Sequence, residues 1–173
     1  MIISIEKLKM QADCGTLPDE VIKDRLDAIE AVIRAYTNNK FQNRAVRFIG
    51  ESDGSSVSGY AVHFKAGDTV EISDSGINDG LYVVESADEG TMMLDRLIFP
   101  ASGMLFTKIE YPADVRQCAV DLFNWKTANG DKVGLKSETI SRHSVTFEDS
   151  SALFMGYPVG ILSGLKLYRK ARC

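Results

Sequence analysis

The sequence predicts an α+β protein: a helical core of two long helices, an inserted small antiparallel β barrel or sandwich, and a C-terminal β-arm plus short helix. Three observations lead there. Two stretches carry apolar residues at helical spacing, LPDEVIKDRLDAIEAVIRAYTNN from Leu17 and YPADVRQCAVDLFNWKTANG from Tyr111. Between them the period shortens to that of strands, as in TVEIS at 69–73. After the second helical stretch the chain alternates again, then closes on an apolar run and a basic cluster.

Taken in order, a short helix is expected at Ile5–Ala12. The first long helix follows, with Ile22, Leu26, Ile29, Ile33 and Tyr36 forming one stripe at steps of four and three. Thr16 can cap it, Asp19 and Glu20 favour the positive end of its dipole, and Asn38-Asn39 suits its exit. GESDGSSVSG at 50–59 reads as a flexible linker or long loop. Strands are then expected at Thr69–Ser73, Leu81–Ser86, Thr91–Asp95 and Phe106–Glu110, separated by the turn-forming DSGINDG and ADEG. Pro112 suits the first position of the second long helix, and Gly130 its C-terminal stop. Ser137–Glu148 alternates as a β-arm or hairpin, and a short helix follows Pro158. The expected organisation is thus 1–56 as the first part of the helical core, 57–110 as the β insert, and 111–173 as the rest of the core with a docking arm.

Composition narrows the function. The 173 residues are 45% hydrophobic and 25% charged, as in an ordinary globular protein large enough to bury a core without staples. A net charge of −4 argues against whole-surface binding to nucleic acid or anionic lipid. Cys14, Cys118 and Cys173 have no metal-ligand or disulfide spacing, which suits a reducing compartment. The start, MIISIEKLKM, has no signal-peptide pattern.

Candidate chemistry is sparse. His63 and His143 could each act as a base, and Cys118 as a nucleophile, but no partners for a triad are indicated. The ordinary reading is two strand or surface histidines and a buried thiol. DSGINDGLYVVE spaces Asp74 and Glu85 as a calcium loop would, yet its sixth position is Asp79 and the glycine falls one later. A polar turn explains it. No glycine-rich stretch carries the GK[ST] of a phosphate cradle. Metal and cofactor are therefore not expected. Ala152–Leu167 is too short and too punctuated by Gly156, Pro158, Gly160 and Gly164 to span a membrane. An interfacial helix is left open, with Leu162, Leu165 and Tyr168 on one face and basic residues behind.

Three stretches together resemble the head–tail connector (adaptor) proteins of long-tailed bacteriophages and prophages of Gram-positive bacteria. They are LPDEVIKDRLDAIEAVIRAYTNNKFQNR, then FKAGDTVEISDSGINDGLYVV leading into LFTKIEYPADVRQ, then KSETISRHSVTFEDSSALFMGYPVGILSGLKLYRKAR. The final Cys173 departs from the family's pattern, where an aromatic residue is more usual. The resemblance implies a structural virion protein and not an enzyme. It implies a homo-oligomeric ring, a dodecamer, under the portal protein. A helical core builds the ring, which extends the DNA channel without sequence-specific binding and receives a head-closure (stopper) or tail protein. The place implied is the virion neck, after assembly in the host cytoplasm, with no membrane partner. The docking residues implied, on the portal or a neighbouring subunit, are Tyr157, Pro158, Leu162, Leu165, Lys166, Tyr168, Arg169, Lys170 and Arg172. Heterologous ring contacts need two faces, and Lys23, Asp24, Arg25, Asp27, Glu30 and Arg34 offer a charged inter-subunit helix face. A small cysteine- or histidine-dependent enzyme and a head-closure or tail-completion protein are the alternatives. The latter are mainly β, which two long helices oppose.

Overall fold

The computed structural model describes residues 1–59, 62–88, 90–130 and 153–171, and the backbone of 137–140 and 143–146. The chain divides into two compact units. One is Met1 with Lys40–Tyr111; the other is Ile2–Asn39 with Pro112–Cys173.

The first unit is a closed antiparallel barrel. Strands β1 (Gln42–Ser52), β2 (Val57–Ser58), β3 (Thr69–Ser73), β4 (Gly80–Asp88), β5 (Thr91–Leu94) and β6 (Ala101–Ile109) close in the order β1-β2-β5-β4-β3-β6. Side chains two apart share a face. That places Val70 with Ile72, Tyr82 with Val84, Met92 with Leu94 and Met104 with Phe106 in one buried cluster. Phe48 and Phe106 stack within it, centroids 4.9 Å apart, and Phe64 meets Phe48 edge-on at 5.7 Å. Burying each such side chain contributes about 1.5–3 kcal/mol. β3 is buried on its other face too, and there its groups are polar and paired. The Thr69 hydroxyl accepts from the Met1 ammonium at 2.7 Å and donates to the Met1 carbonyl at 2.9 Å. Glu71 accepts from Gln42 at 2.6 Å and pairs with Lys40 at 3.1 Å. The two ends of the unit lie together: Gln42 is in register with Ile109, and the Glu110 N–H donates to the Phe41 carbonyl at 3.0 Å.

The second unit is helical. Helix α1 (Ile5–Lys9) is capped by Ser4, which accepts from the Lys7 N–H. Helix α2 (Asp19–Thr37) buries Ile22, Leu26, Ile29, Ile33 and Tyr36. Asn38 ends it in the left-handed conformation (φ 47°), which asparagine tolerates. Helix α3 (Ala113–Asn129) buries Val115, Cys118, Ala119, Leu122 and Phe123. Arg25, near the start of α2, reaches Thr127 near the end of α3, so the two helices run antiparallel. The backbone of β7 (Ser137–Ile140) and β8 (His143–Thr146) forms a hairpin. A second ribbon, β9 (Leu153–Phe154) and β10 (Tyr157–Pro158), turns through Met155 and Gly156. Both have positive φ, 51° and 82°, as a two-residue hairpin turn of matching twist requires. Helix α4 (Val159–Leu162) and a 3-10 turn (Ser163–Tyr168) complete the described chain.

The expected helical core of two long helices with an inserted β unit is corrected. A six-stranded antiparallel barrel forms a compact unit of its own. The four described helices, of 5, 19, 17 and 4 residues, belong to a separate unit, so they are not a core to which the sheet is appended. The α+β class is consistent with this. The reason is β1: its 11 residues were not expected to form a strand. GESDGSSVSG is neither a linker nor one long loop. Its first three residues end β1, and Val57-Ser58 is β2. Between them the Asp53 carboxylate accepts from the Ser55 and Ser56 N–H groups, both at 2.8 Å, which lowers its pKa to about 2. The flanking glycines serve Phe48. A Cβ on Gly59 would lie 2.6 Å from its ring, and one on Gly50 2.8 Å from it.

Smaller corrections concern helix ends. Pro18, not Thr16, precedes α2, and it provides no side-chain cap. The first helix stops at Lys9, Pro112 lies one position before α3, and Gly130 stays right-handed at φ −55°.

Candidate docking surface

The C-terminal segment is held against its own helices. Tyr157 is buried, with its ring 6.0 Å from that of Trp125. Pro158 is buried as well, and Leu162 and Leu165 are almost fully buried. These four expected docking residues belong to the unit's own core. The Tyr168 hydroxyl hydrogen-bonds to the Asp114 carboxylate, 2.9 and 2.7 Å from its two oxygens. That bond raises the tyrosine pKa, with burial adding to it. The backbone is held too. Asn39 donates to the Tyr168 carbonyl at 3.1 Å, and Asn38 to the Ala171 carbonyl at 3.0 Å. The Lys170 N–H donates to the Thr37 carbonyl at 2.8 Å.

What remains outward is compact. Lys166, Arg169 and Lys170 are exposed, and the Arg169 guanidinium sits 5.3 Å over the Tyr36 ring. Leu167 is 91% exposed between them. Sequence reasoning missed Leu167, because at helical spacing it belongs to neither the apolar stripe nor the basic run. Arg172 lies outside the described residues. From Leu153 to Ala171 the segment itself contributes no Asp or Glu.

The six charged residues expected on one face of α2 do not share one. Glu30 is buried, while Lys23, Arg25 and Arg34 are half-buried. Lys23 pairs with Asp27 at 3.4 Å, and Arg25 lies 6.0 Å from the Phe123 ring. Asp24 and Asp27 do point outward.

The nucleophile reading of Cys118 meets an electrostatic obstacle. Burial, with Asp121 and Asp114 nearby, raises its pKa to about 12, and its sulfur lies 3.7 Å from the Ile161 carbonyl. A thiolate is the reactive form. His63 is exposed in a barrel loop, and His143 lies on β8. In the loop with calcium-like Asp74–Glu85 spacing, the Asp79 carboxylate accepts from the Ser75 and Gly76 N–H groups at 2.9 and 3.1 Å. Those bonds lower its pKa and use its lone pairs within the turn. Among the described residues, no group of three or more His, Cys, Asp or Glu side chains could hold a metal ion. No described helix is long and apolar enough to cross a membrane.

Two other surface features exist. A cleft of about 360 Å³ is lined by Cys14, Thr16, Arg25 and Lys126, with Asp13 offsetting the cations. On the barrel, Asn78 exchanges two 2.9 Å hydrogen bonds with the Phe99 backbone. This holds a rim on which Ile77, Leu97 and Phe99 are exposed.

No protein-family model matches the chain, and no curated protein matches it either.

Proposed function

We propose that the chain is a structural subunit of the bacteriophage neck: a head–tail connector that forms a homo-oligomeric ring under the portal. The ring extends the DNA channel and links the capsid to the tail or head-closure protein. The observation that carries this reading is the C-terminal surface. Hydrogen bonds from Asn38, Asn39 and Lys170 fasten its backbone, and Lys166, Leu167, Arg169 and Lys170 are left facing outward. A segment tied down at several points yet unsatisfied outward is pre-organised for a partner, which reduces the entropic cost of association. The resemblance supplies the partner class. The net charge of −4 suits a channel through which DNA must slide, since each phosphate contact adds salt-sensitive affinity. On this reading the protein assembles in the host cytoplasm and resides in the virion neck.

A second reading in the same structure, a head-closure or tail-completion subunit, draws support from the barrel, because such proteins are mainly β. Co-expression with the portal protein of the same genome, followed by negative-stain microscopy, separates the two. A connector adds ring density directly to the portal. A head-closure subunit leaves the portal bare and binds only after another neck protein. A chain that binds neither, and is missing from virions by mass spectrometry, sinks both readings.

A further inference from the structure

Helix α2 has an outward face as well defined as its buried one. Glu20, Asp24, Ala28, Ala31 and Ala35 recur at steps of four, four, three and four, Asp27 flanks them, and all are exposed. The N-terminal half of this face is acidic and carries no cation. The nearest, Lys23, lies to its side and pairs with Asp27 at 3.4 Å, an exposed pair of small energetic weight. The C-terminal half is alanine, over which another backbone can approach closely. The same chain carries the complement. Its 3-10 turn carries Lys166 and Leu167, which is 91% exposed, and exposed Lys170 follows two residues after the turn, on a segment without acids. Acid beside a smooth apolar strip on one surface matches base beside an apolar knob on the other.

We infer that the outward face of α2 receives the C-terminal turn of a second copy of this chain. Lys166 and Lys170 meet Asp24 and Asp27, and Leu167 lies on the Ala28–Ala31–Ala35 strip. The two surfaces are different patches of one chain, so the contact is heterologous, and repetition gives a ring or a filament. The choice of a second copy as occupant rests on the ring reading. It assigns the basic turn to the neighbouring subunit and not to the portal.

The test uses the full chain and charge reversal. Sedimentation velocity at low salt should show concentration-dependent association that high salt weakens. Asp24→Lys/Asp27→Lys and Lys166→Glu/Lys170→Glu should each weaken it by about tenfold or more, with melting temperatures close to the parent. An equimolar mixture of the two variants should associate again, because the reversed face now meets the reversed turn. A parent that stays monomeric, reversals without effect, or a mixture that fails to recover would overturn the inference. So would portal binding that is lost in Lys166→Glu/Lys170→Glu and not restored by the Asp24→Lys/Asp27→Lys partner, since the turn would then face the portal. The sedimentation arm contains no portal. Failure to bind portal with self-association intact removes the ring-under-portal reading alone.

Discussion

The barrel and the helical unit are held together by different means. In the barrel, a closed ladder surrounds an apolar lumen, and its exposed special features are apolar: Ile77, Leu97 and Phe99. In the helical unit, the C-terminal segment is tied by side-chain bonds between residues far apart in sequence, Asn38 to Ala171 and Tyr168 to Asp114, and it exposes cations around Leu167. Lumen burial is shared by every strand, so the barrel should fail as a whole. A tail held by a few hydrogen bonds, each contributing about 0.5–1.5 kcal/mol, should open locally while the rest stays folded.

The largest expected effect is on the lumen. Phe106→Ala removes a fully buried ring stacked on Phe48. It should destabilise the barrel by about 3–5 kcal/mol in urea unfolding. Fraying confined to β6 would contradict whole-barrel failure. Next, Gly59→Ala forces a Cβ to 2.6 Å from the Phe48 ring at a backbone φ of +151°. A loss of about 1–3 kcal/mol is expected by the same measurement. An unchanged midpoint would return this stretch to the status of a loop.

In the helical unit, Asn38→Ala removes the donor to the Ala171 carbonyl and puts alanine in the left-handed region. The loss should be about 1–2 kcal/mol. Hydrogen exchange should quicken at residues 168–171 and stay unchanged in the barrel. Exchange that rises everywhere would erase the contrast.

The smallest effects are read by titration. The hydrogen bond to Asp114 raises the Tyr168 pKa above 10.0. Its contribution to stability is therefore complete below the ordinary tyrosine pKa and is lost as pH rises through the raised one. Absorbance titration should show one late-ionising tyrosine, absent in Tyr168→Phe. Cys118, raised from 9.0 to about 12, follows the same sign. It favours the fold fully below pH 9 and loses that preference by pH 12. Near neutral pH it should resist iodoacetamide until the unit is unfolded.

Much of the helical unit could be read from the chain because its signals are local. The stripe Ile22, Leu26, Ile29, Ile33 and Tyr36 is buried as spacing implies. The error lay in weighing the two units. Residues 42–52 contain Gln, Asn, two Arg, Glu and Ser, so no clean alternation marks β1. Its pairing with β6, far away in sequence, makes it a strand. Gly50 and Gly59 looked like linker residues because their reason, the Phe48 ring, arrives only through folding. In the candidate surface, exposure of the cations was legible from charge. The inward turn of Tyr157 and Leu162 was not, because they lie on a two-residue strand and at the end of a four-residue helix, elements too short for periodicity to mark a buried face.

The barrel begins and ends at one place, where Phe41 and Tyr111 meet with ring centroids 5.0 Å apart and Glu110 bonds to Phe41. For the rest of the chain, a folded barrel therefore acts as a noncovalent clasp. It replaces the open loop of residues 41–110 by two chain ends held side by side within the barrel unit. Closing a flexible loop of that length costs on the order of 4 kcal/mol in chain entropy. A barrel that folds first has already met that cost before α2 and α3 pack. Shortening or permuting the barrel while keeping its ends joined should then spare the helices, whereas cutting β1 from β6 at those ends should weaken both units.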